Sequence, residues 1–153
     1  MKRFTSRYER IRHLRSQQED ACRAVAAARN TELAIAQQKR DQVQQWLETI
    51  QNTAARDMTN NLSGGVFVAM TSMMQHGEDK LQAASGELRT AEESLELALQ
   101  QHTAARAELR IIEEVIHREH TEHRRAERRR EEVQMQEQAS QAYYKMLEVR
   151  SES

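Results

Sequence analysis

Hydrophobic positions along the chain fall into two long rhythms separated by one short polar stretch, "NNLSGG", at residues 60–65. From Phe67 onward, alternating steps of three and four visit Met70, Met74, Gly77, Leu81, Ala84, Leu88, Ala91, Leu95, Ala98, His102, Ala105, Leu109, Ile112 and Ile116 without a slip. This is a strict heptad in which Leu or Met alternates with small residues, the pattern of a coiled-coil seam. The same count continues through Glu119, His123, Ala126, Arg130, Val133, Glu137, Ser140, Tyr144 and Leu147, where the register survives and its hydrophobicity fades. In the first run, Phe4, Tyr8, Ile11, Leu14, Cys22, Val25, Leu33, Ala36, Val43, Leu47, Ile50, Ala54 and Met58 recur about every 3.6 residues and form one stripe. Within it, Leu14, Val25, Ala36, Leu47 and Met58 are spaced by eleven, a repeat that favours a nearly straight course over tight left-handed supercoiling. Gln18, Arg29 and Arg40 interrupt the stripe, and polar insertions of this kind weaken a seam while helping to fix its register.

Between the runs, Asn60, Asn61, Gly64 and Gly65 tolerate positive φ, and Ser63 is placed to cap the helix that follows, so the joint reads as a tight reversal. The expected fold is all-α: an antiparallel two-helix coiled-coil hairpin with a longer, overhanging second helix. One domain covers residues 1–153, with helix 1 at about 6–59, the joint at about 60–65 and helix 2 at about 66–150. At the start, "SRYE" gives Ser6 and Glu9 the spacing of a capping box. A reversal near residue 62 pairs positions whose numbers add to about 125, so Ser6 falls opposite about residue 119. Residues 120–150 then extend beyond the first helix by roughly 45 Å at the helical rise.

Composition narrows what such a chain does. There is no proline among its 153 residues, 31% are charged and 4% aromatic, and the mean hydropathy is −0.91. That leaves too little apolar material for a globular core and enough for a narrow seam. The 23 basic and 24 acidic residues nearly cancel, which argues against nucleic acid or a membrane surface as the main partner. No apolar run approaches the roughly 20 residues of a bilayer span, so the expectation is a cytoplasmic protein without direct membrane insertion. Cys22 is the only cysteine and reads as a small packing residue. Without a phosphate-cradling loop, a nucleophile elbow or a pocket in which to tune a pKa, the chain is expected to be no enzyme and to need no cofactor.

Three local clusters remain. His117, His120 and His123 stand three apart in "HREHTEHRR", but steps of three drift around a helix and the sequence is not a zinc motif, so a solvated face is favoured over a metal site. "HRRAERRREE" concentrates Arg124, Arg125, Arg128, Arg129 and Arg130, and the hairpin brings the basic start of the chain, Lys2, Arg3, Arg7, Arg10, Arg12 and Arg15, close to it. A locally cationic tip of this kind suits an acidic protein surface; the bland reading is a solvated helix with weak ion pairs. Near the joint, Phe67, Met70 and Met74 fall on the seam and Met73 beside it, where methionine suits either packing or an adaptable contact surface.

The opening "MKRFTSRYERIRHLRSQQED", with the rhythm Ile11, Arg12, His13, Leu14, Arg15, resembles the start of the FliJ family of flagellar type III export proteins. The segment "RRAERRREEVQMQEQASQAYYK" looks like the family's second recognisable stretch, although Gln136, Glu137, Gln138 and Ala139 replace its commoner acidic pattern. The resemblance implies a cytoplasmic stalk, peripheral to the inner-membrane export apparatus and related to the YscO-like proteins of injectisomes. Such a stalk inserts the end bearing both termini into a hexameric export ATPase and reaches toward the export-gate membrane protein. On that reading the ATPase contacts are Arg3, Arg7, Arg10, Arg124, Arg125, Arg128, Arg129 and Arg130, and the gate contacts are Phe67, Met70, Met73, Met74 and Leu81. Export chaperones are a further partner class. The competing readings are a self-associating coiled-coil scaffold, joined through Val133, Tyr144 and Leu147, and an export chaperone for secreted subunits.

Overall fold

The structure, a computed structural model, describes residues 4–60 and 63–151. Nearly all of them lie in two helices, α1 (Glu9–Met58) and α2 (Gly64–Ser151). Strong helix formers without a single proline give neither helix a reason to break. The helices pack against one another antiparallel, which is the all-α hairpin arrangement expected from the pattern. Among the described residues no helix is long and apolar enough to cross a membrane.

The chain divides into two compact units, one from Gln17 to Arg106 and one joining the residues up to Ser16 with those from Ala107 onward. In the central unit, α2 buries or half-buries Met70, Met74, Gly77, Leu81, Ala84, Leu88, Ala91, Leu95, Ala98, His102 and Ala105, the heptad positions of the sequence pattern. Ala84 is 2% exposed and Ala98 4%, because alanine lets two helix backbones approach closely. Facing them, α1 presents Cys22, Ala26, Leu33, Ala36, Arg40, Val43, Leu47, Ile50 and Ala54, again at heptad intervals. Lys39 reaches Glu87 at 2.6 Å and Glu19 meets His102 at 2.8 Å.

At Gly77 the helices are closest to a limit. A Cβ there would lie 2.7 Å from Leu47 Cδ1 and 2.9 Å from the Trp46 ring, so glycine makes room for both side chains. Lys80 sits over the same indole, 5.7 Å from its centroid.

The eleven-residue repeat of the first run does not form the seam. Leu47 is buried and Ala36 half-buried, whereas Leu14, Val25 and Met58 are exposed. A helix facing a strict heptad partner must keep about 3.5 residues per turn, and steps of eleven then drift by about 50° per repeat. Ala26 therefore takes the inward position next to Val25. Arg40, read as a polar interruption, does lie half-buried in the seam, its Nε 2.8 Å from Asp41.

Around the joint, the amides of Thr59 and Asn60 close the last turn of α1 onto the carbonyls of Arg56 and Asp57, and the Ser63 carbonyl accepts from Val66 and Phe67. Gly64 and Gly65 lie in the first turn of α2 with no positive φ, so neither uses the freedom expected of it in a turn. Asn61 lies outside the described residues.

Candidate functional site

In the unit that holds the start of α1 and the later part of α2, the backbone first turns at Ser6. Its carbonyl accepts from the Glu9 amide at 3.3 Å and its hydroxyl from the Tyr8 amide at 3.2 Å. Ser6 thus caps the helix, and it is buried. The reciprocal half of the capping box is not used, since the Glu9 carboxylate accepts from Arg12 Nε at 2.8 Å instead. The Ser6 hydroxyl also donates to Glu119 across the helix pair at 2.5 Å, which places Ser6 opposite the residue that the reversal near residue 62 predicts.

Glu119 also forms an ion pair with Arg7, at 3.4 Å, and the Arg7 guanidinium lies 4.8 Å from the Tyr8 ring centroid. Phe4 packs edge-on against His120, centroids 5.7 Å apart, and at a tilt against His123, 4.5 Å apart. This contact carries the pairing further along α2 than residue 119. An open groove there is lined by Phe4, Thr5, Arg7, Glu122, His123 and Ala126. Among the described residues no group of three or more His, Cys, Asp and Glu side chains could hold a metal ion; two of the three suggestive histidines instead pack on Phe4. That packing has no signature in sequence spacing, because it depends on where the chain before Ser6 falls.

Beyond Ala126 every described residue of α2, from Glu127 to Ser151, is exposed. Arg124, Arg125, Arg128, Arg129 and Arg130 are exposed too. None of the ion pairs among the described residues involves these five or Arg10, whereas Arg7, Arg12, Arg15 and Arg118 each have a carboxylate partner. The nearest acid that is engaged, Glu127, meets His123 at 3.6 Å. Arg124, Arg125, Arg128 and Arg129 share one side of the helix by their spacing. Their fork-shaped donors are suited to carboxylates of another chain. Arg3, with Lys2, lies outside the described residues.

Near the joint the five apolar candidates separate. Met70, Met74 and Leu81 are half-buried in the seam, and Phe67 and Met73 are exposed. Only the latter two offer their side chains outward, which heptad position anticipates for Met73 and not for Phe67, a seam residue that falls opposite about residue 58, where α1 ends.

The model of one protein family, described as Flagellar FliJ protein, matches residues 4–148. No curated protein and no solved structure matches the chain.

Proposed function

The chain belongs to the FliJ family, and from that premise we propose that it serves the flagellar export apparatus as a non-catalytic stalk, placing its terminal unit in a hexameric export ATPase. The observation that carries this reading is the set of five arginines, Arg124, Arg125, Arg128, Arg129 and Arg130, exposed and without an ion pair among the described residues. A surface charge left without an internal partner remains available to an acidic surface on a neighbour. Arg3, Arg7 and Arg10 belong to the same contact, with Arg7 already partly neutralised by Glu119.

The stalk acts by binding. A two-helix tip is asymmetric, so it meets the subunits of a ring unequally and favours the ring state that fits it best. At the joint, exposed Phe67 and Met73 form the surface offered to the export-gate membrane protein, with Met70, Met74 and Leu81 supporting them from the seam. The protein works on the cytoplasmic side, peripheral to the inner membrane. Exchanging Arg124, Arg125, Arg128, Arg129 and Arg130 for Glu is expected to return ATP hydrolysis by the export ATPase to its unstimulated rate while helicity stays near normal. Full stimulation by that variant, with hydrolysis measured on the hexameric ATPase, overturns the reading.

A further inference from the structure

Where the line of α2 that packs on α1 loses its apolar character, another line of the same helix gains it. Two residues after each member of the first line, steps of three and four visit Arg118, Thr121, Arg125, Arg128 and Glu132, and then Met135, Ala139, Ala142, Met146 and Val149. Every member up to Glu132 is polar and every member after it is apolar. A displacement of two residues is about 200° around a helix, so this stripe lies on the side of α2 turned away from the line that packs on α1. A longer α1 would not cover it. Met135 is 65% exposed, Met146 73% and Val149 68%. Over the same residues the continuation of the hairpin seam is broken by Arg130, Glu137 and Ser140.

The stripe has both the spacing and the width of a helix-helix seam. It is one residue wide at each level, with Gln136 and Gln138 standing at its edges, which suits knobs-into-holes packing. A helix lying on a membrane shows instead a broad sector of large apolar side chains. Alanine in the middle lets a second helix approach closely, and methionine at either side adapts to its surface. Beyond Ala126 the helix gains no burial from the hairpin, and an isolated helix in water is marginal.

The charges at the stripe's edges define which helix fits. In heptad terms the edge positions are Gln136, Tyr143 and Arg150 on one side and Gln138 and Lys145 on the other. Lys145 and Arg150 line one open groove with Met146 and Val149, and neither cation forms an ion pair among the described residues. The acids of this stretch, Glu137 and Glu148, fall at outer positions. A second copy of this chain does not supply the missing counter-charge. Aligned parallel, it sets Lys145 against Arg150. Aligned antiparallel, with Ala139 against Ala142, it brings Lys145 to Gln138 and Arg150 to Arg129. A helix with glutamates at its edges meets both cations favourably.

We propose that the stripe from Met135 to Val149 docks an amphipathic helix of a partner protein, one with an apolar heptad seam and acidic residues along its edges. The stripe contains none of the five arginines, and its test contains no ATPase, so either reading can fail while the other stands.

The test uses the full chain and a fluorescein-labelled synthetic peptide of about three heptads, with leucine and alanine in its seam and glutamate at its edges. Anisotropy is expected to show binding, weakened at least about tenfold by Met135→Glu with Met146→Glu. Val133→Glu, on the opposite side of the helix, leaves the affinity unchanged. Lys145→Glu with Arg150→Glu reverses the preference, so that this variant takes a peptide with lysine edges in place of the glutamate one. Circular dichroism checks that each variant keeps its helicity, as substitutions at exposed positions should. The proposal is overturned by absence of binding, by equal loss with Val133→Glu, or by equal affinity of the wild type for the two peptides. Sedimentation of wild-type dimers that Met135→Glu with Met146→Glu converts to monomers overturns it in favour of a second copy. Binding to phosphatidylserine vesicles that the same double variant abolishes, without peptide binding, overturns it in favour of a membrane surface.

Discussion

The stretch of α2 that faces α1 and the stretch beyond Ala126 keep the same heptad count and differ in almost everything else. In the first, from Met70 to Ile116, the counted positions are Leu, Met, Ala and Ile with one Gly and one His, and they are buried or half-buried. In the second they become Arg130, Val133, Glu137, Ser140, Tyr144 and Leu147, and all are exposed. Charges diverge in parallel, since Lys39 and Glu19 each find a partner across the pair, while Arg128, Arg129 and Arg130 of the second stretch form no ion pair among the described residues. Periodicity alone therefore does not mark a packed seam; the side chains at the periodic positions do. Helix propensity suffices to write both stretches as helix, and only the first gains tertiary burial as well.

The sharpest way to break this contrast is to truncate one apolar residue in each stretch. Leu47→Ala removes a side chain that is 6% exposed and should cost about 2–4 kcal/mol in urea unfolding. Leu147→Ala, at an exposed position, should change the stability of the isolated chain by less than about 0.5 kcal/mol. A comparable loss from both would mean that the stretch beyond Ala126 is packed in solution. Gly77→Leu comes next. The added side chain meets Leu47 and the Trp46 ring, and overpacking there should cost about 1–3 kcal/mol despite leucine's better helix propensity; a stabilised variant would show that the helices can separate freely at that level.

Ser6→Ala should lower stability by about 1 kcal/mol through loss of the cap on the Tyr8 amide, read as faster amide exchange at the start of α1. The gentlest probe is acid. The hydrogen bond with His102 holds the Glu19 carboxyl below the ordinary carboxylate range, and nearby Arg23 and Arg106 act in the same direction against the opposing effect of partial burial. A carboxylate whose pKa is lower in the folded state contributes stability at neutral pH, and that contribution disappears as pH falls through its folded value. Thermal melts across an acid titration should therefore fall more gradually for Glu19→Gln than for the wild type, and superimposable pH profiles would remove Glu19 from the account.

Much of this was legible in the order of residues. The heptad of α2 from Met70 to Ile116 needed only counting, and the pairing of Ser6 with Glu119 followed from the position of the joint. The apolar stripe of α1 was harder, because it carries two adjacent series. Val25 and Ala26 both have the composition of a seam residue, and which one turns inward depends on the step that the partner helix imposes. Taken alone, an eleven-residue spacing of Leu14, Val25, Ala36, Leu47 and Met58 hid the inward heptad series through Ala26. At the candidate site, the exposure of the arginines was readable from the fading of the seam. The burial of Ser6 against Glu119 and the seating of Phe4 on two histidine rings were not, since both are set by the few residues before α1 begins, where no periodicity operates.

Trp46 is the only tryptophan in the chain, and the glycine opposite it gives the seat at Gly77 and Lys80 a spectroscopic use. An indole held against another helix and beneath an ammonium group emits differently from one in water. The central unit therefore contains its own gauge of closure, readable without a label. Emission from this single side chain can follow whether the two helices stay together when an ATPase or a gate protein is added, and can time their parting when the chain unfolds.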